Sequence, residues 1–209
     1  MKKSFVSVIF ILWAACLSGQ HYFGLKGAAG LNSVDVVPKF NTKNLNTANT
    51  GILYRYEHKR FTALQVELSY VNKGYIQAED TARNIIENTQ RISSIELPLM
   101  AQGFVRLGGF RPYITGGAVA GYILSRSSQV KGEDQKKYIF DKYDRRFEYG
   151  IAGGAGMALR IKSFEIQGEW RYIYNFSFLR DPIIPGRGSQ SLSATRMEIS
   201  LSLLYRFKK

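Results

Sequence analysis

Residues 164–178 have the sequence FEIQGEWRYIYNFSF, in which apolar and polar side chains alternate along most of the stretch. One face of the extended chain would carry Phe164, Ile166, Trp170, Tyr172, Tyr174, Phe176 and Phe178. The opposite face would carry Glu165, Gln167, Glu169, Arg171 and Asn175. A period of two residues predicts a β-strand with one apolar and one polar face.

The same alternation recurs along the chain and predicts eight strands, with no segment showing the period of a helix. The predicted strands cover residues 21–31, 50–57, 61–73, 91–105, 111–125, 146–161, 164–178 and 195–207. In the last strand, apolar residues from Met197 to Phe207 alternate with mostly polar ones. The side chains of the fifth strand are small and apolar on both faces. The sequence therefore does not indicate which face points outward and which points into the barrel.

The predicted links alternate in length. Long polar links, on the order of 15–20 residues, alternate with links of a few residues, as in outer-membrane barrels with long external loops and short periplasmic turns. Residues 41–44 and 131–137 fall in the first and third long links, and residues 57–60, 106–110 and 162–163 form the short ones. The sequence therefore predicts an all-β fold, an eight-stranded antiparallel up-and-down transmembrane β-barrel in the bacterial outer membrane. An even strand number predicts that both termini are periplasmic.

The overall composition agrees with this fold. The chain has 209 residues, of which 13% are aromatic, and a formal net charge of +13. No apolar run is long enough to cross a bilayer as a helix. In a barrel that crosses with strands, the apolar faces contact lipid and the polar faces line the lumen.

The N-terminal residues have the pattern of a secretory signal peptide. Lys2 and Lys3 precede the apolar stretch 5–17, which is too short for a transmembrane helix, and we expect cleavage near Gly19. Residues 1–19 are thus predicted to be the signal peptide and residues 20–209 the barrel domain. The single cysteine, Cys16, falls in this segment, where lipidation of Cys16 is an alternative to cleavage near Gly19.

The polar faces contain charges of both signs. Candidate lumen residues are Lys26, Arg55, Glu67, Glu96, Glu148, Glu165, Glu169, Arg171, Arg196, Glu198 and Arg206, together with Arg160. Acidic and basic groups balance, so they can pair with one another, and an eight-stranded interior is narrow enough for side chains to fill. We expect a plugged lumen. Lipid-facing aromatics that could form interfacial girdles are Trp170, Tyr172, Tyr174, Phe176, Phe178, Tyr205 and Phe207.

No motif in the sequence predicts catalysis, and we expect no enzymatic site, cofactor or metal. The two histidines, His21 and His58, are predicted at the periplasmic end, away from the long loops. The glycine-rich stretch 150–156 lacks the Gly-Lys-Ser/Thr ending of a phosphate loop and is interpreted as part of a strand. The basic segments 136–137 and 142–146 favour contact with lipopolysaccharide or solvent, and we expect no nucleic-acid binding.

Several of these segments resemble a known family. Residues 63–74 (ALQVELSYVNKG) and 95–99 (IELPL) are similar to consecutive strand patterns of the PorT-like outer-membrane β-barrel proteins. Residues 111–117, 149–156 and 204–207 resemble the family in the same order. The resemblance implies an outer-membrane barrel, which would contact outer-membrane lipid and lipopolysaccharide and be inserted by the barrel-assembly machinery. The family's namesake is linked to a protein-secretion and gliding apparatus.

Four functional hypotheses follow. The first is a structural barrel, or one that docks an envelope protein of unknown identity. The second is a small-solute channel, and the third is an accessory barrel of a protein-secretion apparatus. The fourth is a soluble, lipocalin-like barrel that binds an apolar ligand.

Overall fold

The computed structural model describes residues 19–37, 41–58, 61–81, 84–130, 136–137, 146–176 and 191–207. Within these ranges the chain forms eight long strands and one two-residue strand. They are β1 (Gln20–Val37), β2 (Asn41–Glu57), β3 (Thr62–Thr81), β4 (Asn84–Phe104), β5 (Phe110–Val130), β6 (Lys136–Lys137), β7 (Phe147–Ile161), β8 (Phe164–Asn175) and β9 (Ser191–Phe207). The described residues include no helix that is long and apolar enough to cross a membrane.

The eight long strands close into a barrel. Each pairs antiparallel with its neighbours in the sequence, and β1 pairs with β9 over residues 21–37 and 191–207. The short strand β6 pairs with Ser127 and Ser128 of β5. Closure gives each long strand a neighbour on both sides, so the backbone groups within the ranges paired on both sides have partners in both neighbouring strands. The predicted eight-stranded antiparallel fold is confirmed.

Several strands are longer than the sequence pattern predicted. Residues 41–44, which we assigned to a long loop, belong to β2 and pair with Ala78 to Tyr75 of β3. The pairing of β3 with β4 continues to Thr81 and Asn84. The first and second predicted long links are therefore only residues 38–40 and 82–83, and the predicted length of 15–20 residues was wrong for both. The loop assignment was wrong here because apolar alternation marks only the part of a strand that contacts lipid. The hydrogen-bonded pairing of the strands continues beyond that part, where the strands are exposed to water. Of the predicted third loop, residues 131–135 lie outside the described part of the chain.

The short links are confirmed at one end of the barrel, which we call the turn end; the opposite end is the loop end. They are residues 58–61, 105–109 and 162–163. Both Gly108 and Lys162 have a positive φ, of 65° and 56° respectively, as tight turns require. The beginning of β1 and the end of β9 lie at this same end, since Gln20 pairs with Glu57 and His21 with Phe207.

The barrel has an apolar exterior and a polar interior. Ile199 on the outer face is 69% exposed, whereas Glu67 on the inner face is 1% exposed. The open question about β5 is settled by Ile114, which points outward, and by Tyr113 and Val119, which are buried inside. This distribution is the inverse of a soluble barrel with an apolar cavity, so the lipocalin-like alternative is wrong.

Aromatic side chains form clusters near both ends of the outer face. At the turn end, Tyr205 makes edge-to-face contacts with Phe164 and Phe207 at ring-centroid distances of 5.3 and 5.4 Å. Toward the loop end, Phe176 contacts Tyr149 and Tyr174 at 6.3 and 4.9 Å. The predicted outward aromatics Trp170, Tyr172, Phe176, Tyr205 and Phe207 are exposed, Tyr174 is half-buried, and Phe178 lies outside the described residues. Two aromatic clusters flanking an apolar band match the interfacial girdles of membrane barrels.

The glycine-rich stretch lies in the barrel wall, within β7. A Cβ at Gly154 would collide with the carbonyl oxygen of Trp170 on β8, and one at Gly117 with that of Leu99 on β4. Glycine therefore permits a close approach of neighbouring strands at these two positions.

We predict that Ile199→Arg destabilises the barrel by about 2–4 kcal/mol, because it places a charge in the middle of the apolar band. The control is Ile199→Leu, which keeps the side chain apolar. Stability is measured by urea unfolding in lipid vesicles, with the folded fraction quantified as the faster band of unboiled samples on a denaturing gel. Equal stability of the two variants would contradict the assignment of this face to lipid.

Candidate functional site: the charged lumen

Alternation places every second side chain of each strand in the lumen, where charged groups gather in two sets. The larger set, the central network, consists of Lys26, Glu67, Lys73, Glu96, Glu148, Glu169, Arg171, Arg196 and Glu198. The smaller set, the turn-end cluster, consists of Arg55, Glu57, Arg106, Arg111, Arg160 and Glu165. Both sets join strands that are distant in sequence, so each exists only once the barrel has closed.

Arg171 is the hub of the central network. Its Nη2 and Nη1 donate to the two carboxylate oxygens of Glu67 at 2.6 and 3.1 Å, across the lumen from β8 to β3. Its Nε donates to Glu169 on its own strand at 2.6 Å. A bidentate guanidinium–carboxylate pair fixes the relative orientation of both side chains, which a single contact does not.

The remaining central charges extend this arrangement toward the loop end. Arg196 makes a second bidentate pair, with Glu96, at 2.6 and 2.9 Å. The ammonium of Lys26 bridges Glu67 and Glu198, with both distances 2.9 Å. Lys73 connects Glu96, at 3.3 Å, with Glu148. Each described cation of this network therefore contacts at least two carboxylates, and the charges are compensated within the lumen.

The turn-end cluster lies just inside the barrel mouth. Glu165 accepts from Arg55 and Arg111, at 2.7 Å from each. Glu57 contacts Arg106, and it lies 3.5 Å from Arg111 and 3.6 Å from Arg160. The Arg55 guanidinium carbon stands 4.2 Å from the centre of the Tyr22 ring, whose hydroxyl accepts from Arg160 at 2.7 Å.

Buried amides link the two sets. Gln167 accepts from Arg55 Nη1 at 3.0 Å and donates to Glu169 at 3.2 Å. Gln65 accepts from Gln102 at 2.9 Å and donates to Glu67 at 2.7 Å. Polar contacts therefore continue from the turn end to the centre of the barrel.

Apolar side chains fill the remaining space. Tyr22, Leu53 and Leu204 form one buried cluster, and Met100, Val119, Ala152 and Ile173 form another. A void bordered by central-network residues has a volume of about 10 Å³, which is room for roughly one water molecule.

The structure brings together most of the predicted lumen residues. Ion pairs involve Lys26, Arg55, Glu67, Glu96, Glu148, Arg160, Glu165, Glu169, Arg171, Arg196 and Glu198. Arg206 differs from these ion-paired residues. Its guanidinium donates a 3.4 Å hydrogen bond to the Lys162 carbonyl in the third turn. Arg206 is the last polar residue of β9, where the lumen opens, and the structure does not bring it into either charged set.

Four charged participants were missed. Lys73 has the same parity as Glu67 on β3, so alternation could have found it. Arg111 belongs to the strand whose orientation the sequence left open. Glu57 and Arg106 were assigned to turns, although Glu57 is the last residue of β2 and is buried.

The two histidines lie at the turn end, as predicted. His21 Nδ1 is 2.7 Å from the Tyr54 hydroxyl, and His58 Nδ1 is 3.2 Å from that of Tyr56. Across the described ranges, no three His, Cys, Asp or Glu side chains are arranged to hold a metal ion.

A closed antiparallel barrel with an apolar exterior, two aromatic girdles and a charged lumen defines an integral outer-membrane β-barrel protein. The chain belongs to the family described as outer membrane protein beta-barrel domain, whose model matches residues 15–179. Membership places the protein in the bacterial outer membrane. Among curated proteins, none shows significant similarity to the chain.

Solved structures show the same fold. OprG from Pseudomonas aeruginosa superposes with a TM-score of 0.61 at 13% identity, covering 91% of this chain and 97% of OprG. Neisserial surface protein A gives 0.53 at 12% identity, covering 90% and 97%. Ail of Yersinia pestis gives 0.51 at 18% identity, covering 91% and 100%. At these identities the likeness concerns the fold alone.

We predict that Glu67→Ala costs about 3–5 kcal/mol of stability, because it removes the carboxylate that Lys26 and Arg171 share and leaves both Nη groups of Arg171 buried without that acceptor. Combining it with Arg171→Ala should cost less than the sum of the two single variants, since each removes the same pair. The four proteins are compared by urea unfolding in vesicles.

The matched control for this cycle is Arg206→Gln, which removes an exposed guanidinium outside both charged sets. Its effect should stay within about 0.5 kcal/mol. Strict additivity of Glu67→Ala and Arg171→Ala would show that the bidentate pair does not form.

Proposed function

We propose that this protein is a closed outer-membrane barrel with a structural or partner-docking role and that it does not conduct solutes. The observation that supports the proposal is the central network, in which Arg171 and Arg196 each reach across the lumen to a carboxylate. A solute would have to separate buried paired charges, which is costly in a low-dielectric interior.

A filled lumen leaves the rims and the outer wall as the surfaces available to partners. The connections β1–β2, β3–β4, β5–β7 and β8–β9 all lie at the loop end, and the third of them includes the basic segment 136–137. We propose that these links face outward, toward lipopolysaccharide, and that the turn end with both termini faces the periplasm. An envelope protein partner would then dock either on the loops or on the periplasmic rim.

The sequence resemblance of several strands to the PorT-like proteins supports the proposal that this barrel belongs to that group. Membership in the broader family does not separate this group from other outer-membrane barrels. A role as an accessory barrel in protein secretion therefore stays a hypothesis, to be tested by crosslinking in cells and co-purification from mild detergent.

Planar bilayers containing the purified protein should show no unitary current steps, because paired side chains cross the lumen. Replacing Glu67 and Arg171 together by Ala removes the bidentate pair and should produce measurable steps. The control is Leu201→Ala, which truncates a lipid-facing side chain and should remain silent. Steady ohmic steps from the wild-type protein, equal to those of the double variant, would instead support the small-solute channel.

The proposed orientation predicts which links antibodies can reach on intact cells. An epitope inserted near Gly132, in the third long link, should be labelled. One inserted between Lys162 and Ser163, in the third short turn, should be labelled only after permeabilisation. Permeabilised cells, in which both sites label, provide the control for masking by surface sugars. Labelling of the turn site alone on intact cells would reverse the orientation.

A further inference from the structure

The turn-end cluster differs from the central network in its charge balance. Among the described residues, the central network contains four cations and five carboxylates, so its anions are slightly in excess. The turn-end cluster contains four guanidinium groups and only two carboxylates, those of Glu57 and Glu165. Two positive charges at the barrel mouth are therefore uncompensated by neighbouring side chains.

The sequence reinforces this imbalance. In the described stretches that form the turn end (19–24, 54–58, 61–65, 102–113, 158–167 and 203–207), Glu57 and Glu165 are the only acidic residues beside six lysines and arginines. No other carboxylate side chain in these stretches can neutralise the cluster.

Buried donors in the cluster also lack acceptors. Arg55 and Arg111 are 0% and 3% exposed. Within the described part of the chain, Nε of Arg55 and both Nε and Nη1 of Arg111 make no hydrogen bond, and the same holds for Nε of Arg160. Among the described residues, the cluster has one buried carboxylate oxygen that is also unpaired, Oε2 of Glu57, and a single oxygen cannot accept from all four of these nitrogens. Leaving a buried charged donor unpaired is expensive, so these groups favour an acceptor from outside the barrel wall.

The cluster is open to the turn end through its cations. The side chains of Arg106 and Arg160 are 33% and 26% exposed, whereas those of Glu57 and Glu165 are each 1% exposed. A molecule arriving from the turn end therefore meets guanidinium groups first, with the carboxylates buried behind them.

We propose that the turn-end cluster binds a phosphate-class oxyanion through Arg55, Arg106, Arg111 and Arg160. A free phosphate or a phosphate monoester carries close to two negative charges at pH 7 and so matches the two uncompensated charges. The several oxygens of a phosphate group can accept from guanidinium groups on different strands, which a single carboxylate cannot do as well. This site does not depend on whether the barrel conducts. The phosphate can come from a free ion or phosphate monoester, which would offset both charges, or from a phospholipid headgroup at the turn end, whose phosphodiester would offset one.

The experiment measures phosphate binding by the full chain in maltoside micelles, which contain no phosphate. In the first arm, inorganic phosphate is titrated calorimetrically against sodium chloride at matched ionic strength. In the second arm, phosphatidylglycerol is titrated without added phosphate. Saturable binding in the first arm identifies a free phosphate, and binding in the second arm alone identifies the lipid headgroup.

The double variant Arg106→Gln/Arg160→Gln should weaken binding about tenfold or more, since each lost charge-assisted hydrogen bond is worth about one factor of ten. Arg206→Gln, a turn-end cation outside the cluster, is the matched control and should bind like the wild type. Each variant is first shown to give the folded band on an unboiled gel, and Arg106→Gln alone replaces the double variant if that one fails to fold. Absence of saturable binding in both arms, or equal loss in Arg206→Gln, would overturn the proposal.

Discussion

The rest of this structure depends on one constraint, which is that lipid offers no hydrogen-bond partner to the backbone. Every N–H and C=O within the bilayer must be paired by another strand, and the pairing of β1 with β9 meets that requirement by closing the sheet. Closure in turn separates the two faces of every strand. One face contacts hydrocarbon, and the other must fill a lumen only as wide as eight strands allow.

The contents of the lumen follow from this separation. Because apolar side chains are needed outside, the polar residues of each strand face one another across a narrow interior, where charges are stable only when paired. Arg171 with Glu67, and Arg196 with Glu96, meet this condition through bidentate contacts between distant strands. In the turn-end cluster, positive charges outnumber negative ones. The central network therefore suits a structural role, whereas the turn-end cluster suits the binding of an anion.

Alternation alone could predict the strand number, the faces of β8 and β9 and most of the ion-pairing residues. It could not predict how far the strands extend, because residues such as 41–44 continue the ladder in water without an apolar face. It also left Arg111 unassigned, because the two faces of β5 both carry small apolar side chains and do not differ in polarity. Glu57 was missed for a different reason: its role depends on Arg106, Arg111 and Arg160, which only barrel closure brings near it.

The central claim, that the apolar face contacts lipid and the charged face fills the lumen, can be tested on the wild-type chain. The measurement is the set of nuclear Overhauser effects between lipid acyl chains and methyl groups of the protein in bilayer nanodiscs. Methyl groups of Ile166, Ile199 and Leu203 should show strong effects, whereas those of Leu53, Ile173 and Leu204, which are buried in the lumen, should show none. Acyl-chain contacts at Ile173 and Leu204, with none at Ile166 and Leu203 on the same two strands, would contradict the account.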